Sequence, residues 1–218
     1  MFLNRRKTKE DVIKNSKKIC IVVIVLEIFK ILFELVNGHT YLDAWFPLAY
    51  CSLFIYALIF SVYGKGIFKR MGQAYLSGII AGLSFLIFPT TSLKILPLFH
   101  FLSFHSMIYH SLMLYIGVMY FKSNVIEYRI KEGKYYILFL LTFSLLAILI
   151  NYIYGSNMMF YDNPYNFPFQ FIIDIYNFSN ILYTVIVFLA YLTLYYVVLF
   201  LKYLIIKITG GMTYKTTI

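Results

Sequence analysis

The sequence predicts an all-α fold, a polytopic membrane protein built as a bundle of six transmembrane helices with both termini cytoplasmic. Three observations lead there. The 218 residues are 61% hydrophobic and only 13% charged, more apolar surface than a water-soluble domain of this length carries, so the bilayer is the main solvent. The apolar residues gather into six runs, near 19–36, 46–63, 73–88, 95–121, 135–154 and 179–206. Backbone polar groups cannot stay unpaired in lipid, so such runs must be helices. The basic residues then crowd into alternate connections, which sets the orientation.

The first run, 19–36, follows a basic segment and has no small-residue cleavage site after it, so it reads as an uncleaved first helix. It carries Glu27, Lys30 and Glu34, spaced i, i+3, i+7 on one face. Ionisable groups are costly in lipid, so this face should point into the bundle, with Glu27 and Lys30 as an intramembrane ion pair. The second run contains "FPLAYCSLFIY" and with it Cys51. The third is short, and Pro89 ends it. The fourth opens with "LPLFHFLSFHSMIYHSL", the fifth closes with "NYIYGSNMMF", and the fourth and sixth are long enough to tilt. The stretch "MMFYDNPYNFPFQF" reads as an interfacial aromatic belt, or as the cover of a lipid-entry opening.

Arg5, Arg6, Lys7, Lys9, Lys14, Lys17 and Lys18 precede the first helix. Lys65, Lys69 and Arg70 fill the second connection, Lys122, Arg129, Lys131 and Lys134 the fourth, and Lys202, Lys207 and Lys215 the tail. The first and fifth connections have no Lys or Arg, and the third only Lys94. Both termini are therefore expected in the cytoplasm. The chain divides into a basic segment 1–18, a transmembrane domain 19–206 and a tail 207–218. The net charge of +10 sits in these short clusters; no basic stripe, zinc spacing, phosphate loop or repeat points to nucleic acid. A composition rich in Lys, Ile, Asn, Tyr and Phe and poor in Ala and Arg suggests an AT-rich bacterial genome, hence the plasma membrane.

Depth can be assigned from helix rise. Cys20 lies near the cytoplasmic end of the first helix and Cys51 near the outer end of the second, about 20 Å apart in level, too far to pair. His100, His105 and His110 are five apart, so successive rings point about 140° away from each other and form no metal-binding stripe. Asn151 and Asn157 close the fifth helix on the outer side. Cys51, His100 or His105, Glu34, Asn151 and Asn157 can thus meet in the outer half of the bundle. A thiol, an imidazole and amide donors are the parts of acyl transfer. The structural alternatives stand beside this: a packed thiol, histidines bonding between helices, an ion-pair belt, and asparagines capping a helix end. No cofactor or metal is implied.

Five pieces, in order over residues 25–205, carry a resemblance: "EIFK…NGH", "FPLAYCSL", "GLSFLIFPTTS", "FHFLSFHSMIYHSLML" and "NYIYGSNMMF". Together they resemble the YwaF-like bacterial integral membrane proteins, related to the eukaryotic transmembrane protein 164 group. The second piece is similar to the signature Leu-Pro-Leu-His-Leu-Cys-Ser. The resemblance implies a cysteine-dependent phospholipid acyltransferase that needs no coenzyme A donor, with Cys51 as nucleophile and His105 as base. By their level in the bundle and not by the resemblance, Glu34 would orient the imidazole, and His100, Asn151 and Asn157 would bind or orient the substrate. The substrate would be a membrane phospholipid or lysolipid. Two departures stand out: Ala49 replaces the histidine two residues before the cysteine, and Asn157-Met158-Met159 replaces Asn-Tyr-Met. The rival readings are a small-solute carrier using the Glu27–Lys30–Glu34 face, and an accessory subunit without chemistry.

Overall fold

The computed structural model describes residues 8–79, 83, 96–97, 99–127, 129–164 and 170–208. Arg5, Arg6, Lys7, Pro89, Lys94 and Lys215 lie outside the described residues, as does most of the second half of the expected third helix.

Helix α1 spans Lys9–Val36. Its start is a capping box: the Asp11 amide donates to Thr8 Oγ1 at 3.1 Å and the Thr8 amide donates to Asp11 Oδ2 at 3.0 Å. It ends where Asn37 Nδ2 donates to the Phe33 carbonyl and Gly38 adopts a φ of +81°, a turn open to glycine without steric cost. Val12, Ser16, Cys20, Val23, Glu27 and Glu34 are its buried residues. Their spacing of three, four or seven marks a single face toward the bundle.

A short helix α2, Leu42–Trp45, is followed by non-helical chain and then α3, Leu53–Tyr63. The second helix expected over 46–63 therefore begins only at Leu53. The residue before a proline is biased out of the helical region, and Phe46, ahead of Pro47, is extended (φ −79°, ψ 122°). The chain then turns through Ala49–Ser52 before the helix starts. Hydropathy cannot register this break, because the broken stretch is as apolar as the helix. Helix α4, Gly66–Ser77, starts seven residues before the expected third span. Its polar start is amphipathic rather than a loop: Met71, Gly72, Ala74 and Tyr75 are buried while Lys69 and Arg70 face outward.

At 11 and 12 residues, α3 and α4 are each about 17 Å long. They pack backbone against backbone. A Cβ on Gly72 would come within 2.4 Å of the Ala57 carbonyl oxygen, so this crossing requires glycine, as close helix contacts in membranes commonly do. The remaining helices among the described residues are α5, Phe101–Ser123; α6, Gly133–Tyr154, entered through a 3-10 turn; α7, Gln170–Phe178; and α8, Asn180–Ile208. Among the described residues three segments are long and apolar enough to cross a membrane: Phe101–Ser123, Ile130–Tyr154 and Asn180–Ile208. Helix α1 has the length, but its Glu27, Lys30 and Glu34 keep it from being uniformly apolar. Outward-facing Leu145, Leu149 and Phe200 are exposed, as a lipid-facing surface demands. No strand occurs among the described residues.

The centre of the bundle is aromatic. Tyr75, Tyr120, Tyr136, Tyr195, Phe54 and Phe139 are fully buried. Each phenol buried in this way needs a hydrogen-bond partner, and where those partners lie defines the site.

Candidate functional site

The break between Pro47 and Leu53 puts peptide groups inside the bundle without a helical ladder. Such backbone is tolerated at membrane depth only where protein satisfies it. Here tyrosines from other helices do so. Tyr75 of α4 donates its hydroxyl to the Tyr50 carbonyl at 2.5 Å. Tyr109 of α5 donates to the Cys51 carbonyl at 3.3 Å, with the Ser52 carbonyl at 3.5 Å. The Tyr50 hydroxyl lies 2.9 Å from that of Tyr136, which donates to the Tyr191 carbonyl at 2.7 Å. The Tyr50 ring stacks on Tyr191 with centroids 4.3 Å apart. The turn that carries Cys51 is thus tied to α4, α5, α6 and α8.

Cys51 is half-buried and packed against the core, and both cysteines are free thiols. The sulfur lies within electrostatic range of Lys30 and Glu27. Those two side chains form an ion pair on α1, Lys30 Nζ to Glu27 Oε1 at 3.0 Å. The other carboxylate oxygen of Glu27 is 3.8 Å from His105 Nε2. His105 is buried, and its Nε2 has no hydrogen-bond partner among the described residues. Its ring lies against that of Tyr109, 5.8 Å between centroids. Tyr109 joins the Cys51 carbonyl to the His105 ring, and Glu27 borders that imidazole while paired with Lys30. No hydrogen bond joins Cys51 to His105.

The other sequence-predicted residues lie outside this cluster. Glu34 pairs with His39 Nδ1 at 2.5 Å and so faces the connection after α1 rather than His105. His100 is the N-cap of α5: its Nδ1 accepts from the Leu102 amide at 3.3 Å, and its ring meets the Phe33 edge. His110 bonds within its own helix to the Ser106 carbonyl at 2.7 Å. Asn151 Oδ1 accepts from the Ser156 hydroxyl at 2.9 Å and from the Met158 amide at 2.7 Å, while its Nδ2 donates to the Met158 carbonyl. Asn157 Oδ1 accepts from the amides of Asp162 and Asn163, and its own amide donates to Asp43 Oδ1 at 2.9 Å.

Both asparagines thus shape the loop after α6. That loop covers the tyrosine cluster, because Tyr191 donates its hydroxyl to the Met159 carbonyl at 3.0 Å. Met159 and Phe160 sit there at φ of +56° and +57°. Two successive non-glycine residues in the left-handed region carry strain of about 1–3 kcal/mol each. Such strain persists only where surrounding contacts enforce it. Buried Met158, Met159 and Tyr161 supply them.

Sequence reasoning missed Tyr50, Tyr75, Tyr109, Tyr136, Tyr191 and His39. Tyr109 was within reach, since it lies one helical turn after His105. Tyr75, Tyr136 and Tyr191 come to the turn from separate helices, and no spacing announces that. Among the described residues no group of three or more His, Cys, Asp or Glu converges as metal ligands would.

No curated protein and no solved structure matches the chain. A model of the TMEM164 family matches residues 1–198, a range that includes every residue of the Cys51 cluster and the loop that covers it. With its apolar helices and this match over most of its length, the chain is a membrane protein and belongs to the TMEM164 family.

Proposed function

We propose that this protein is a six-helix enzyme of the bacterial plasma membrane, with both termini cytoplasmic, that moves a fatty acyl chain from a phospholipid through a Cys51 thioester to a lysolipid or water. The single observation that carries the reading is the placement of Cys51 on interrupted backbone inside the bundle, joined through Tyr109 to a buried imidazole whose Nε2 has no hydrogen-bond partner among the described residues. A purely structural thiol needs no such break in its helix.

His105 Nε2 takes the Cys51 proton, directly or through one water, and the thiolate attacks the ester carbonyl of the phospholipid. Catalytic hydrogen bonds commonly tighten only when substrate is bound. The tetrahedral intermediate collapses, the C–O bond breaks, and the leaving alkoxide takes the proton from the imidazolium, releasing a lysolipid and leaving the acyl thioester. In the second half, His105 removes the proton of an incoming lysolipid hydroxyl or a water. That oxygen attacks the thioester, and Cys51 leaves as thiolate and regains its proton. Glu27, rather than Glu34, stabilises the imidazolium. Lys30 neutralises Glu27 when the imidazole is uncharged. Asn151 and Asn157 serve the site by holding the covering loop, and His100 by fixing the start of α5.

The test is lipid mass spectrometry on purified protein in liposomes that contain a phospholipid with a labelled acyl chain and an unlabelled lysolipid. The label is expected to reach the lysolipid or appear as free acid with the wild type, and to fall by about 10³-fold or more with Cys51→Ala. Equal rates for the two proteins, or no transfer across several lipid classes with folded protein, would return the site to a carrier or accessory role.

A further inference from the structure

At the opposite end of α1 from Glu27 the surface opens into a cavity of about 540 Å³ between α1 and α4. Lys9, Lys14 and Lys17 line it from α1, Lys69 and Gln73 from α4, and Glu10 is the one carboxylate in its wall among the described residues. All four lysines are exposed, and none is in an ion pair with another described residue. The contrast with Arg70 is informative. Arg70, next to Lys69, is spent on Glu132 at 2.7 Å and the Tyr135 hydroxyl at 2.6 Å, which leaves Lys69 to the cavity.

Four ammonium groups around one concavity repel each other, and a single carboxylate does not offset them. An anion carrying more than one negative charge relieves that repulsion. The cavity is 13 residues of α1 from Glu27, about 20 Å along the axis, which sets it at headgroup level on the face away from Cys51. Lysine clusters beside a membrane-spanning helix attract anionic headgroups. A phosphate monoester carries about −1.5 to −2 charge near neutral pH, against one for a phosphate diester.

We propose that this cavity binds the phosphate-monoester headgroup of an anionic lipid of the phosphatidic acid class. The site is separate from Cys51, and the proposal stands whether or not that thiol is a nucleophile.

The experiment is native mass spectrometry of the full chain extracted from vesicles of phosphatidylcholine doped with either phosphatidic acid or phosphatidylglycerol. Phosphatidic acid is expected to be retained above both other lipids. The triple variant Lys14→Gln, Lys17→Gln, Lys69→Gln is expected to retain at least about tenfold less, since each lysine near an anionic surface contributes up to about fivefold. The charge-matched variant Lys18→Gln, Lys131→Gln, Lys207→Gln, whose residues lie outside the cavity, is expected to retain phosphatidic acid like the wild type. Thermal melts of both variants check that they fold, and Cys51→Ala is expected to bind normally. No preference for phosphatidic acid, or an equal loss in the charge-matched variant, would overturn the site. Displacement of the lipid by millimolar inorganic phosphate would overturn the lipid assignment and give the cavity to a soluble phosphate ester.

Discussion

Glu27 and Lys30 stand one turn apart on α1 with their charged ends 3.0 Å from each other, the carboxylate almost fully buried. Removing one member of such a pair leaves an uncompensated charge, whereas replacing both by apolar groups is nearly neutral. Glu27→Gln is expected to cost about 3 kcal/mol in unfolding free energy. The double variant Glu27→Leu, Lys30→Met is expected to recover most of that stability yet remain inactive, because His105 still lacks its carboxylate. Denaturant titration in detergent and the acyl-transfer assay read the two effects separately. Tyr109→Phe keeps the ring against His105 but deletes the donor to the Cys51 carbonyl. It is expected to cost about 1 kcal/mol and to slow transfer by at least about tenfold through a looser turn, measured by thermal unfolding and by label transfer. At this scale Cys51, Glu27, Lys30 and His105 were legible in the sequence, because charged, thiol and imidazole side chains in apolar runs stand out. The tyrosines were not. With 22 of them in the chain, nothing local separates those that hold the turn from those at an interface.

The elements divide by how their stability arises. Helices α5, α6 and α8 are written in uninterrupted apolar length, and the structure places them within a few residues of the expected spans, apart from the fourth run, whose helix starts only at Phe101. The α3–α4 hairpin depends on tertiary contacts that periodicity does not record. Its helices are too short to cross alone, its crossing rests on Gly72, and its entry is a turn satisfied by tyrosines from elsewhere. Gly72→Ala is expected to force α3 and α4 apart, since the new Cβ meets backbone at 2.4 Å. Overpacking of this kind costs about 1–3 kcal/mol, and a lowered melting temperature with partial loss of transfer activity would register it. The covering loop depends on one residue in a similar way. Asn151→Ala removes three hydrogen bonds and is expected to expose the loop to limited proteolysis while α6 remains intact. The expected roles of Glu34 and of Asn151 and Asn157 came from level alone. Level places residues in the same layer of a bundle but does not say which way they face.

At the scale of the whole molecule, two polar regions stand apart along α1 among the described residues. One is the Cys51 cluster, enclosed by tyrosines and covered by the loop after α6. The other is the lysine-lined cavity about 20 Å along α1. In the proposed function the interrupted helix would carry the reacting centre, and the lysine-lined cavity would engage headgroups. The central claim is that Cys51 carries the acyl group. Intact-protein mass spectrometry after incubation with phospholipid, without an acceptor, tests it most directly. The account predicts a mass increment equal to one acyl chain, mapped to Cys51, removed by hydroxylamine and absent from Cys51→Ala. It also predicts accumulation of the increment to be slowed in Glu27→Gln. Lysolipid release by the wild type with Cys51 unmodified at every time point, or release undiminished in Cys51→Ala, would contradict it.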